Sequence, residues 1–144
     1  MKNFSVRVSI RSTQELIWAL LTDASLYTRW NNTVEKVEGK IARGESVTVR
    51  PKMNPGRTFP VKVTVFESPR RMVWTGRMPL GLFKGERTFL LTPGSNERID
   101  FSMREEYSGL MAPLICRSVP NLQPAFDEFA SDLKRAAELK SEEL

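Results

Sequence analysis

The chain has 144 residues, 40% of them hydrophobic and 27% charged, a size and balance suited to one globular domain that buries a core without disulfides or metals. It contains no histidine and one cysteine, which removes histidine-based nucleophilic schemes, histidine general bases and any intrachain disulfide, and argues against a zinc site. Net charge is +5, with eleven Lys or Arg against three acids between residues 40 and 90, a field that favours anionic ligands.

From the start, Phe4, Val6, Val8 and Ile10 alternate with Asn3, Ser5, Arg7 and Ser9, the period-two pattern of a strand with one buried face. Ser12 stands three residues before Glu15 as a capping box, so a helix is expected to open there, with Leu16, Ile17, Leu20 and Leu21 as its apolar face and a short second helical turn around Ser25 to Arg29. Asn31-Asn32 then turns the chain into a run of strands. These are expected at Val34 to Gly39, Glu45 to Arg50, Phe59 to Phe66, Arg71 to Met78, Lys84 to Thr92 and Arg98 to Ser108, separated by Asn54-Pro55-Gly56, Ser68-Pro69, Pro79-Leu80-Gly81 and Pro93-Gly94-Ser95-Asn96. In the Phe59 strand the alternation places Phe59, Val61, Val63 and Val65 on one face and Phe66 on the other.

Asn121 to Leu139 reads as a long helix whose stripe is Leu122, Phe126, Phe129, Leu133, Ala136 and Ala137. Pro124 suits its first turn, with Asn121 or a neighbour as the cap, and Lys140 to Leu144 is expected to fray. Gly109 to Val119 is expected to form a separate helical turn or a kinked loop, with Gly109-Leu110 and Met111 as a flexible apolar gate, and Cys116 is read as a small buried hydrophobe. Hairpin-length connections make consecutive strands antiparallel, and the segregation of helices from strands makes the class α+β in a single domain, 1–144. The longest apolar run, Leu16 to Leu21, is too short for a membrane span and no signal-peptide centre is visible, so the expected compartment is the cytoplasm.

Three stretches carry a resemblance: Arg70-Arg71-Met72-Val73-Trp74-Thr75-Gly76-Arg77, Gly85-Glu86-Arg87-Thr88-Phe89-Leu90-Leu91-Thr92-Pro93 and Glu105-Glu106-Tyr107-Ser108-Gly109-Leu110. With Ser12-Thr13-Gln14-Glu15, Trp18, Trp30-Asn31 and Leu133 to Glu138, they make the chain resemble the START-like, Bet v 1-like (SRPBCC) superfamily, in its polyketide cyclase/dehydrase and lipid transport branch. The resemblance implies a helix-grip fold: a curved seven-stranded antiparallel sheet wrapped around a long C-terminal helix, with two short helices after the first strand and a cavity between. It also implies binding of a hydrophobic or amphipathic small molecule, and does not imply one reaction.

Strand parity points Met72 and Trp74, Arg87 and Phe89, and Phe101, Met103, Glu105 and Tyr107 toward the helix. With Met78, Trp30 at the cavity mouth, Leu110 in the gate, Leu114 after it, and Leu122, Phe126 and Phe129 on the helix, these are the candidate ligand-lining residues. Glu105 and Arg87 are expected to pair on the inner face. The reading favoured is binding or carriage of a lipid- or polyketide-like molecule, with an acidic head group attracted by the basic middle. One alternative is a cyclase or dehydratase using Glu105 and Tyr107 for acid–base chemistry; another is an interaction module working through the basic sheet. No metal, cofactor or nucleic-acid partner is expected.

Overall fold

The computed structural model describes residues 3–54 and 56–143. Pro55 of the expected turn and terminal Leu144 lie outside them. The elements run β1 (Asn3–Ile10), α1 (Gln14–Thr22), a 3-10 turn (Ala24–Leu26), α2 (Tyr27–Trp30), β2 (Val34–Gly39), β3 (Ser46–Pro51), β4 (Phe59–Glu67), β5 (Arg71–Arg77), a 3-10 turn (Pro79–Gly81), β6 (Lys84–Pro93), β7 (Ile99–Ser108), α3 (Ala112–Ile115) and α4 (Gln123–Glu142). All seven strands form one antiparallel sheet in the order β1-β7-β6-β5-β4-β3-β2. β1 and β2 therefore close opposite edges, joined through α1 and α2. The sheet curls as a half-barrel around α4, the helix-grip arrangement.

Local chemistry explains the boundaries and corrects three expectations. Thr13, not Ser12, caps α1: its hydroxyl accepts from the Leu16 backbone N–H at 3.2 Å, while the Ser12 hydroxyl is buried with no partner among the described residues. A one-residue shift of the cap is enough to remove the Ser12–Glu15 box. In β4 the alternation breaks at a bulge between Val63 and Val65, after which Val65 opposes Val73 and Phe66 opposes Met72. The extra residue reverses parity, so Phe66, expected outside, packs inward on Trp18 with ring centroids 5.4 Å apart. The third correction concerns the C-terminus, where α4 continues to Glu142 instead of fraying from Lys140.

Pro124 lies in the first turn of α4, as expected, and the Asn121 side chain accepts from the Gln123 N–H at 3.1 Å. Phe126, Phe129, Leu133 and Ala137 are buried along its inner stripe. The same helix also covers the free edge of β1. Gln123 donates to the Ser5 carbonyl at 2.8 Å, Lys134 to the Ser9 carbonyl at 2.7 Å, and the Arg11 N–H donates to Glu138 at 3.0 Å. Backbone groups at that edge would otherwise be open to another strand. A long-range tether holds the other side: buried Asp132 accepts from the Asn32 N–H at 2.8 Å and pairs with Arg135. Cys116 is buried and free, as expected.

Candidate functional site

The inner face of the sheet can be followed rung by rung, because cross-strand partners on one face are neighbours. One rung sets Phe66, Met72, Phe89, Met103 and Val6 side by side across β4, β5, β6, β7 and β1. The next carries Val63, Trp74, Arg87, Glu105 and Phe4. Beyond it, at the open end, Gly76 pairs with Gly85, and Gly85 faces Tyr107. The face is thus apolar in its deep part, charged at one rung, and relieved by two glycines at the end.

In the deep part the expected lining residues meet one another. Met72, Phe89, Phe101, Met103 and Phe126 are no more than 1% exposed. Phe129 of α4 touches Trp30 at 5.3 Å, Phe101 at 6.0 Å and Phe89 at 6.1 Å between ring centroids, and Trp74 packs on Phe89 at 4.8 Å. Tyr27, which parity reasoning did not single out, sits among them against Trp30 and Trp74, and its hydroxyl donates to the Leu21 carbonyl at 2.6 Å. Burial pushes the Tyr27 phenol far above its ordinary range. These rings pack on one another between sheet and helix. The Trp74 indole N–H is buried there without a partner among the described residues.

The charged rung is the polar centre of the site. Arg87 and Glu105 face each other across the ladder, Arg87 Nε lying 3.3 Å from Glu105 Oε1 and Arg87 NH2 donating to Oε2 at 3.4 Å. Tyr107 donates its hydroxyl to the same Oε2 at 2.9 Å, and the guanidinium lies 4.9 Å over the Phe126 ring, a cation–π contact. Their side chains keep 27% and 16% of their surface, so the pair is sheltered without being sealed. Burial first, and then the carboxylate beside it, raise the Tyr107 phenol far above its usual range. Tyr107 is therefore a proton-bearing donor that holds the carboxylate in place.

Tyr107 also leads outward. Its ring stacks on Phe83 at 5.7 Å and meets Phe4 edge-on at 6.5 Å. Phe83 in turn lines an open groove of about 610 Å³ with Arg77, Met78, Pro79, Leu80, Gly81, Lys84, Ser108 and Gly109. Gate residue Leu110 and the expected lining residues Leu114 and Met78 stand at this end but face outward: Leu110 is 83% exposed, Leu114 57% and Met78 43%. Leu122 is partly buried against the core. Phe83 was missed because it follows a Pro-Leu-Gly separator, although an aromatic immediately before a strand is a signal of the kind that could have found it. Among the described residues no group of acids and cysteine could hold a metal ion, and no helix is long and apolar enough to cross a membrane.

A seven-stranded antiparallel sheet gripping a C-terminal helix, with two short helices after the first strand, defines a START-like domain. The chain belongs to the polyketide cyclase/dehydrase and lipid transport family, whose model matches residues 1–138. Solved structures repeat the architecture. A hypothetical protein from Helicobacter pylori superposes with a TM-score of 0.77 at 17% identity, over 94% of this chain and 88% of that one. A START superfamily protein from Mycobacterium smegmatis gives 0.67 at 15% identity, over 98% and 97%. The protein DynU16 of the dynemicin biosynthetic locus gives 0.70 at 19% identity, over 98% of this chain and 49% of that one. A search of curated proteins found no match.

Proposed function

We propose that this protein binds and carries an amphipathic small molecule, lipid- or polyketide-like, at the open end of the grip. Its apolar body lies along Phe83, Leu80 and Met78, and its polar group meets the Arg87–Glu105–Tyr107 cluster. Leu110 and Leu114 form the outer rim, and Trp30, Met72, Trp74, Phe89, Phe101, Met103, Leu122, Phe126 and Phe129 are the wall behind. The observation that carries this reading is the continuity of the two parts: Tyr107 bonds Glu105 with its hydroxyl and stacks on groove-lining Phe83 with its ring. A few polar groups converging beside an apolar concavity is the usual composition of a small-molecule site. Family membership supports the same class of ligand.

Orientation of a ligand suits the cluster better than acid–base turnover. Both oxygens of Glu105 are already engaged by Arg87 and Tyr107, and the phenol is held in its protonated form. Arg87 carries the charge that would meet an acidic head group.

The test uses anilinonaphthalene sulfonate, an anionic amphipath, followed by its fluorescence, alongside native mass spectrometry of protein purified from its own host. Saturable binding of one probe per chain is expected, weakened about tenfold in Arg87→Gln, the scale of one charge-assisted contact. Equal binding by wild type, Arg87→Gln and Tyr107→Phe would refute the site.

A further inference from the structure

Few large hydrophobic side chains are exposed, and four of them gather at one end: Leu80, Leu110, Leu114 and Met78. They come from the loop joining β5 to β6 (Met78, Leu80) and from the loop joining β7 to α3 together with α3 itself (Leu110, Leu114). Main-chain bonds fasten these loops together, from the Leu110 N–H to the Gly81 carbonyl at 3.4 Å and from the Met111 N–H to the Leu82 carbonyl at 2.7 Å. Gly109 permits the approach: at φ +111°, a β-carbon there would lie 2.7 Å from the Leu82 carbonyl oxygen. Leu80 itself has φ +60°, a conformation that leucine avoids, and it is 91% exposed. The backbone is thus turned so as to present leucine to the outside. A solvated turn would place Asn or Gly there.

Charge surrounds this tip with one sign. Residues 77–84 and 109–121 contain no acid. Arg77 and Arg117 are exposed and make no ion pair among the described residues, whereas Lys84 is 3.5 Å from Glu86. Arg77 and Lys84 are paired at the hairpin base, and Arg117 follows α3 in a turn where its N–H donates to the Leu114 carbonyl at 3.3 Å.

From these observations we infer that the paired loops are a docking tip for an anionic lipid surface: Leu80, Leu110 and Leu114 enter the acyl boundary while Arg77 and Arg117 meet phosphate headgroups. Charge complementarity selects this occupant. A second copy would bring two more unpaired arginines against the first two, whereas anionic headgroups neutralise them. A bilayer also accepts projecting side chains without a matching concave surface, and apolar residues beside cations are the composition of interfacial anchors. The inference goes beyond ligand binding in the groove: it shares Leu80, Met78, Leu110 and Leu114 with that reading but makes no use of Arg87, Glu105 or Tyr107.

The experiment is co-sedimentation with vesicles of phosphatidylcholine alone and of phosphatidylcholine containing one-third phosphatidylglycerol, at low and moderate salt. Binding is expected only to the anionic vesicles, weakened about tenfold by each of Leu80→Asn and Leu110→Asn and roughly fivefold by each of Arg77→Gln and Arg117→Gln, with a shallower salt dependence. Asn tolerates positive φ, so Leu80→Asn keeps the fold, and circular dichroism melts check each variant. Lack of anionic-vesicle binding by the wild type, or leucine variants that bind as the wild type does, would overturn the inference. So would a dimer in sedimentation equilibrium that Leu80→Asn converts to monomer while vesicle binding is unchanged. Arg87→Gln separates the two readings, because it should weaken probe binding in the groove and leave vesicle binding intact.

Discussion

Phe129→Ala tests whether the space beneath the sheet is core or cavity. The ring is 3% exposed and meets Trp30, Phe89, Phe101 and Tyr27, the last at 6.4 Å. Truncating a buried Phe costs about 3–5 kcal/mol through lost transfer energy and the void left behind. With four aromatic partners, each pair worth roughly 0.5–1.5 kcal/mol beyond burial, the expected loss lies at the upper end, about 4–5 kcal/mol. That is a large part of the 5–15 kcal/mol typical of a domain. Urea unfolding followed by tryptophan fluorescence and far-ultraviolet circular dichroism measures it. Phe129→Leu, expected to lose about 1–2 kcal/mol, keeps the comparison possible if the alanine variant is largely unfolded. A loss below about 1.5 kcal/mol for Phe129→Ala, with an unchanged m value, would show that the ring borders empty space, and the reading of a filled interior would fail.

Thr13→Ala should destabilise by about 1 kcal/mol through loss of the cap on α1, whereas Ser12→Ala should be neutral or slightly stabilising because its buried hydroxyl has no partner; thermal melts of the two distinguish them. Both tyrosines have phenols raised by burial. Stability from these groups is full below the unfolded phenol pKa of about 10 and declines above it; absorbance at the phenolate band should stay flat in alkali until unfolding, and a phenolate signal from native protein would contradict the burial. At Glu138, burial raises the pKa but is outweighed by the Arg11 N–H and Lys134, so the net shift is downward. Its contribution is present above the unfolded carboxylate pKa and disappears as pH falls through the lower folded value. Glu138→Gln should therefore flatten the acid limb of a stability–pH curve, and an unchanged limb would count against the contact.

Most of the fold was legible because periodicity encodes it directly. The alternation of Phe101, Met103, Glu105 and Tyr107 in β7 and of Arg87, Phe89 and Leu91 in β6 gave the right inner face, and the strand limits lie within one residue of expectation. The Phe66 error shows where that logic stops. A bulge leaves no mark in hydrophobic alternation, since Val65 and Phe66 are both apolar, and only pairing with Val73 and Met72 on β5 decides which turns in. Likewise Ser12 and Thr13 are both good caps, and backbone geometry chooses between them. Asp132 escaped notice for a related reason: an acid on an apolar stripe reads as solvated until Asn32, a hundred residues away, supplies its N–H.

The harder distinction was between lining and filling. The same aromatic set satisfies either description by parity alone, and only the sum of ring volumes against the space under the sheet separates them. Here the gripped helix contributes Phe126 and Phe129, the sheet Trp74, Phe89 and Phe101, and the helical segment after β1 adds Tyr27 and Trp30, so each ring already has ring neighbours. The next two rungs differ in kind. An Arg and a Glu cannot be packed as rings can, because their charges must be paired or reach water, and the two glycines in the Tyr107 rung remove side-chain volume where the deeper rungs add it. A change of residue type along one face thus marks where the core ends. Gly76, Gly85, Arg87 and Glu105 put that boundary one rung inside the groove, and it is at this boundary, rather than among the aromatics behind it, that substitutions should separate binding from stability.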